Sequence, residues 1–219
     1  MSHPNQTRAI DGPISRPRLP GFLDVSERVL AVALYGWLIA RVMSVYLASG
    51  GAGNLIVLVS EGLVIFFMLI RRGAQDVSQR PIDWLLTLLA TTMPLLVQPM
   101  TDDAILPPAI GAAMMLAGIA IQLVAKITLG RSFGWAPAHR GLKLSGPYRF
   151  VRHPIYAGYL LCHVAFLLLN WTVWNAAVYA LCYMAQVPRL LAEERLLRRD
   201  ERYVRYMSVV RFRLLPGVF

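Results

Sequence analysis

Twenty of the 22 lysines and arginines in this chain of 219 residues lie in alternate connectors between long apolar runs. Four come before or at the start of the first run (Arg8, Arg16, Arg18, Arg28) and three after the second (Arg71, Arg72, Arg80). Five follow the fourth run (Arg131, Arg140, Lys143, Arg149, Arg152), and eight lie beyond residue 187. The other connectors carry none. Membrane proteins keep Lys- and Arg-rich loops on the cytoplasmic side. The pattern therefore predicts an even number of crossings, with both termini and the basic loops in the cytoplasm. Only 16% of residues are charged, against about 25% in a soluble domain. The net charge of +10 follows from this one-sided placement, so nucleic acid is not an expected partner.

The apolar runs fall at about residues 27–48, 54–70, 82–97 and 105–129. Two more, 154–169 and 172–187, are short for a span. They read as a helical hairpin that either crosses and returns or crosses only partly. Residues 188–206, PRLLAEERLLRRDERYVRY, combine leucines near helical spacing with dense charge, as in an amphipathic helix lying on a membrane surface. The expected fold is an all-α polytopic membrane protein, with four N-terminal spans, a C-terminal hairpin and a cytosolic amphipathic helix. The expected divisions are a flexible cytosolic tail (1–26), a four-span region (27–129) and a catalytic region (130–219). Ser26 is a candidate cap for the first helix. Lys126, near the cytoplasmic end of the fourth span, is expected to snorkel. Arg41 and Glu61 are each ten positions from Gly51, so a hairpin places them at one depth as a structural clamp. Cys162 and Cys182 fall within apolar runs and read as buried hydrophobes. No His/Cys/Asp cluster suggests a metal, and His163 is placed to hydrogen-bond another helix.

The stretch 145–159, SGPYRFVRHPIYAGY, is the polar and basic lead into the hairpin. Pro154 suits a first helical turn, which puts Arg152 and His153 at the positive end of a helix dipole. One reading is a basic anchor at the membrane surface. The other is a site for an anion or the polar end of a cofactor. Glu193-Glu194 sits awkwardly beside an anionic leaflet unless a cation accompanies it.

Four motifs occur together: Ser145-Gly146-Pro147-Tyr148; Arg152-His153-Pro154 with Tyr156 and Gly158; Glu193-Glu194 with Leu197, Tyr203 and Tyr206; and Leu215-Pro216-Gly217. In order and spacing, over about residues 129–219, they resemble the isoprenylcysteine carboxyl methyltransferase family and its bacterial relatives. That resemblance implies S-adenosylmethionine as cofactor. It implies that Arg140, Gly141, Leu142 and Lys143 frame the adenosine, and that Tyr148, His153, Pro154, Ile155, Tyr156 and Glu193 contact the cofactor. It puts Arg189 on the substrate side, making Arg189 and Glu193 the catalytic pair. Ala138 stands near a position where eukaryotic members carry glutamine. In physical terms, Glu193 can accept from the cofactor's ammonium, and His153 with free helix N–H groups can hold its carboxylate. Tyr148 or Tyr156 offers an aromatic face.

The expected activity is methyl transfer to a small or lipophilic acceptor bearing a carboxyl, thiol, amine or hydroxyl group. Membrane lipid is an expected partner, and no obligate protein partner is evident. The expected location is the bacterial inner membrane, with the site on the cytoplasmic face. An NADPH-dependent sterol-type reductase is the alternative: Arg199-Asp200-Glu201 fits it, but a Lys-Tyr-Gly before the last tyrosine is missing. A non-enzymatic, lipid-binding basic tail is a third reading. Both ends of a hairpin that crosses and returns meet at one face, so His153 and Glu193 should line one pocket.

Overall fold

The computed structural model describes residues 21–49, 62–74, 76–98 and 104–218. Glu61 is outside them, so the expected Arg41–Glu61 clamp lies outside the described residues. Arg41 itself is exposed, its guanidinium 5.7 Å from the Trp37 ring centroid.

The described residues are mostly helical. The helices are α1 (Phe22–Ser49), α2 (62–70), α3 (Pro81–Thr92), α4 (Pro108–Leu129), α5 (Pro154–Leu169), α6 (Val173–Leu197) and α7 (Glu201–Val209). A 3-10 turn, Met93–Leu96, prolongs α3. Proline opens α3, α4 and α5, where its missing N–H costs nothing. Thr172 and Asp200 cap α6 and α7, accepting from the backbone N–H of Asn175 and Arg202. An antiparallel ladder of β1 (Asp76–Val77) with β2 (Ala138–His139) joins the loop after α2 to the loop after α4.

Among the described residues, one helix, Pro108–Ser132, is long and apolar enough to cross a membrane. Pro154–Leu169 has 16 residues, about 24 Å at 1.5 Å per residue, short of the ~30 Å hydrocarbon core. Large apolar side chains are exposed along α1 and α4, among them Val29, Leu30, Trp37, Ile110, Leu116 and Ile127. Such surface is unusual in water and ordinary against lipid.

Three expectations change. First, α1 begins at Phe22, ahead of the start expected near residue 27. Ser26 does not cap the helix; its hydroxyl bonds the Phe22 carbonyl. Asp24 and Glu27, three apart on one face, are buried against arginines from later in the chain, and this holds the first turn in place. Second, α6 passes through Pro188 to Leu197, so no separate amphipathic helix starts there. Proline removes one backbone bond, but Ala185 and Gln186 before it and Leu190 and Ala192 after it are buried, and that packing keeps the helix continuous. Third, Lys126 does not snorkel. It is fully buried, with its ammonium 5.6 Å from the Tyr159 ring centroid.

Helix α5 packs along α4, and α6 along α3, while α5 and α6 touch each other little. Glycines bring α4 and α5 together: a methyl at Gly158 would lie 2.6 Å from the Gly118 carbonyl oxygen, and one at Gly118 would lie 2.8 Å from that of Gly158. Small residues let helix backbones approach this closely. The gap between α5 and α6 is bridged by large side chains. His163 stacks on Tyr179 at 4.8 Å and its Nδ1 lies 3.1 Å from the Tyr183 hydroxyl, as expected for a histidine contacting another helix. At the far end, buried Asn175 bonds both the N–H and the carbonyl of Gln98 and the Asn170 carbonyl, tying α6 to the end of the α3 segment.

Candidate active site

The separation of α5 from α6 leaves a cavity of about 370 Å³, within the ~300–1,000 Å³ of small-molecule sites. Part of its lining is apolar, from Leu34 and Leu38 of α1 and Ala90, Pro94 and Leu95 of the α3 segment. Part is polar and aromatic, from Lys143, Tyr148, His153, Tyr156, Glu193 and Tyr203, and Arg189 lines it as well. Arg140, Gly141, Leu142 and Ile155 also line the cavity; of the residues singled out from the sequence, only Pro154, fully buried in the first turn of α5, does not.

Adjacent glutamates on a helix point about 100° apart, and here they have separate surroundings. Glu193 faces the cavity, where it accepts from the Tyr156 hydroxyl at 3.0 Å. Glu194 points away and is 1% exposed. It accepts from Arg152 Nε at 2.8 Å and lies 3.2 Å from His153 Nε2. Arg198 and Arg213 each reach its other oxygen at 3.2 Å. Burial alone would raise the Glu194 pKa, but the His153 and Arg152 contacts outweigh it and hold it at about 2. The cation expected beside the acidic pair is thus internal and belongs to Glu194.

The start of α5 is also occupied. The backbone N–H groups of Arg152 and His153 donate to the carbonyls of Phe212 and Arg213 at 3.0 and 2.9 Å. Arg152 Nη1 bonds the carbonyls of Val210 and Arg211. The C-terminal segment therefore occupies the backbone donors just before the helix, those of Arg152 and His153, while the N–H groups of Ile155 and Tyr156 in the first turn of α5 take no part in these bonds.

Arg189 and Glu193 share a helix face but do not pair with each other among the described residues. Both address Tyr156: the Arg189 guanidinium lies 5.5 Å from the ring centroid while Glu193 takes the hydroxyl. Arg189 Nη2 donates to the Trp135 carbonyl at 2.7 Å, and its Nε has no hydrogen-bond partner among the described residues. Tyr148 is buried, which pushes its phenol pKa well up and keeps it neutral. Its carbonyl accepts from the Tyr206 hydroxyl at 2.6 Å.

The cavity loop is shaped by Gly141 and Gly146, whose positive φ values of 94° and 58° disfavour other residues. It is fastened by ion pairs. Arg140 bonds Asp24 at 3.0 Å and also Glu27. Arg71 bonds the same two carboxylates at 3.0 and 2.7 Å, and Glu27 accepts from the N–H groups of Trp135 and Ala136 at 2.6 and 2.8 Å. Arg140 thus reaches the cavity with its guanidinium already engaged by α1. Nearby, buried His139 lies 3.3 Å from Asp200 and, with Arg199–Asp76, ties the ladder to the α6–α7 turn. Burial lowers the His139 pKa.

Sequence reasoning missed Glu194 as the ion-cluster centre, α1 as a cavity wall, and the Asp24–Glu27–Arg71–Arg140 quartet. Two acids three apart at the start of an apolar helix were the available signal for the last. Among the described residues, no group of His, Cys, Asp and Glu is suited to a metal.

The fold and site define a mostly helical protein with a small-molecule cavity of mixed polar and apolar lining. Residues 107–200, under half of the chain, match the model of the phospholipid methyltransferase family. That family belongs to the same group as the isoprenylcysteine carboxyl methyltransferases, and the match points to a membrane methyltransferase. It spans α4 to α6 and includes Tyr148, His153, Arg189 and Glu193. No curated protein matches the chain.

Proposed function

We propose that the protein is a multispanning membrane methyltransferase that uses S-adenosylmethionine to methylate a small or lipophilic acceptor at the cytoplasmic face. The carrying observation is a cavity lined both by polar residues within the family match, Tyr148, His153, Arg189 and Glu193 among them, and by hydrocarbon side chains. The cofactor fits the donor set on three counts. Glu193 is a carboxylate facing the cavity, suited to an ammonium. The Tyr203 hydroxyl is buried and unpaired among the described residues. Tyr148 and Tyr156 supply aromatic surface.

When bound, S-adenosylmethionine supplies an electrophilic methyl group on a sulfonium. The protein's part is orientation more than acid–base work. Glu193 holds the cationic end and is itself fixed by Tyr156. Arg189, fixed by the Trp135 carbonyl and the Tyr156 ring, presents Nε to a carboxylate or other acceptor oxygen. The apolar lining at Leu34, Leu38 and Leu95 takes the hydrocarbon of the acceptor and excludes water. An isoprenylcysteine-type carboxylate suits Arg189; a phospholipid amine is the acceptor class of the matched phospholipid methyltransferase family. The four-span arrangement, cytoplasmic termini and bacterial inner membrane complete the proposal.

Calorimetric titration of the purified protein with S-adenosylhomocysteine tests it. Binding that Glu193→Gln weakens at least about tenfold, the scale of one charge-assisted hydrogen bond, with no binding of NADPH, is the expected result. Absence of S-adenosylhomocysteine binding, or binding of NADPH instead, would refute it.

A further inference from the structure

Tyr203 lies beyond the stretch matched by the family model, which ends at residue 200. Its ring packs with Tyr206, Val210, Leu142 and Leu144, and the residue is 3% exposed. It lines the cavity, and its hydroxyl has no hydrogen-bond partner among the described residues. Two arginines that line the cavity, Arg140 and Arg189, also carry an unpaired Nε, but the Nη2 of each is bonded. Tyr203 differs in that its whole polar complement is unpaired. A buried hydroxyl without a partner is unfavourable, and a phenol can both donate and accept. Tyr206, three residues on, shows the contrast: its hydroxyl is bonded to the Tyr148 carbonyl at 2.6 Å.

We infer that Tyr203 is a ligand-binding residue whose hydroxyl hydrogen-bonds the nucleoside half of the cofactor. Its ring belongs to a hydrocarbon and aromatic cluster with Leu142, Leu144, Leu197 and Tyr206, which suits a flat heteroaromatic base, while Glu194, Glu193 and Arg152 lie within electrostatic reach of the hydroxyl, which suits the polar rim of a nucleoside. The charged end of the cofactor belongs instead with Glu193. This assignment rests on the S-adenosylmethionine reading above.

The test compares Tyr203→Phe with Tyr206→Phe in the full chain. Calorimetry measures S-adenosylhomocysteine and adenosine separately, and melting temperature measures stability. Tyr203→Phe is expected to melt no lower than wild type, since it removes an unpaired group, and to bind both ligands about tenfold more weakly, the scale of one hydrogen bond. Tyr206→Phe is expected to lower the melting temperature. If Tyr203→Phe keeps wild-type affinity for both ligands, the hydroxyl serves only water and the inference fails while the cofactor reading stands. Loss of S-adenosylhomocysteine affinity with adenosine affinity unchanged would overturn the nucleoside assignment. A fall in melting temperature equal to that of Tyr206→Phe would show a structural partner and overturn it as well. If wild type binds neither ligand, the cofactor reading itself falls.

Discussion

Replacing Glu194 by glutamine should damage the fold far more than the same change at Glu193, although the residues are adjacent. Glu194→Gln keeps shape but removes the charge that Arg152 and His153 face at 2.8 and 3.2 Å in a site 1% exposed. Breaking a buried ion pair from one side costs about 3–5 kcal/mol. Arg198 and Arg213 retain side-chain exposures of 50% and 24%, so losing those contacts adds little, and the low end applies. The pKa gives the same size: a shift from 4.5 to about 2 corresponds to about 3 kcal/mol at 1.36 kcal/mol per unit. For a chain of this length, that lowers the melting temperature by roughly 6–12 °C. Glu193 loses one contact, from Tyr156, and an amide oxygen can still accept it, so Glu193→Gln should stay within about 1 kcal/mol of wild type. Thermal unfolding in detergent, followed by tryptophan fluorescence, reads both. Equal melting temperatures for the two variants, or a Glu194→Gln protein as stable as wild type, would refute the division of roles.

The Glu194 contribution is also pH-dependent. Because its folded pKa is depressed, its stabilisation is full above about pH 4.5 and is lost as pH falls toward about 2; wild type should lose melting temperature across that window, and Glu194→Gln should lose less. Gly158→Ala would put a methyl 2.6 Å from the Gly118 carbonyl, so it should cost about 1–3 kcal/mol, read as a lower melting temperature. Glu27→Gln should loosen the loop held through Trp135, Ala136 and Arg140, destabilising by about 3 kcal/mol or more. Combining it with Arg140→Met should be less harmful than the sum, which a double-mutant cycle measures.

Much of the helical layout was legible because apolar runs and proline starts are local signals. Pro81 and Pro154 each begin a helix where the sequence placed a boundary, while the helix expected from about residue 105 begins at Pro108. The meeting of His153 and Glu193 at one cavity was legible too, since a hairpin returns to the face it left. The rest depends on direction around a helix and on distant partners. Glu193 and Glu194 cannot be told apart by composition; only the orientation of α6 sends one to the cavity and the other to Arg152. Arg71 and Arg140 counted as cytoplasmic charge, and nothing local showed that both would be buried on Asp24 and Glu27. The division between the apolar run ending at 187 and the charged segment 188–206 is not a helix boundary, because tertiary packing on both sides of Pro188 outweighs one lost backbone bond.

These corrections change what the N-terminal half does. Without α1, the cavity loses Leu34 and Leu38 from its apolar lining, and the loop carrying Trp135 and Arg140 loses both carboxylates that hold it. Trp135 in turn supplies the carbonyl that positions Arg189. A chain of contacts therefore runs from Glu27 through Trp135 to Arg189, joining the first helix to the residue proposed to orient the acceptor. The family match covers 107–200 alone, yet α1, the C-terminal segment beyond Val210 and Tyr203 all lie outside it and contribute to the site or its support. A fragment limited to the matched stretch would keep Arg189 and Glu193 but lose Glu27, which holds the loop, and Arg213, which pairs with Glu194. The arrangement needs both ends of the chain.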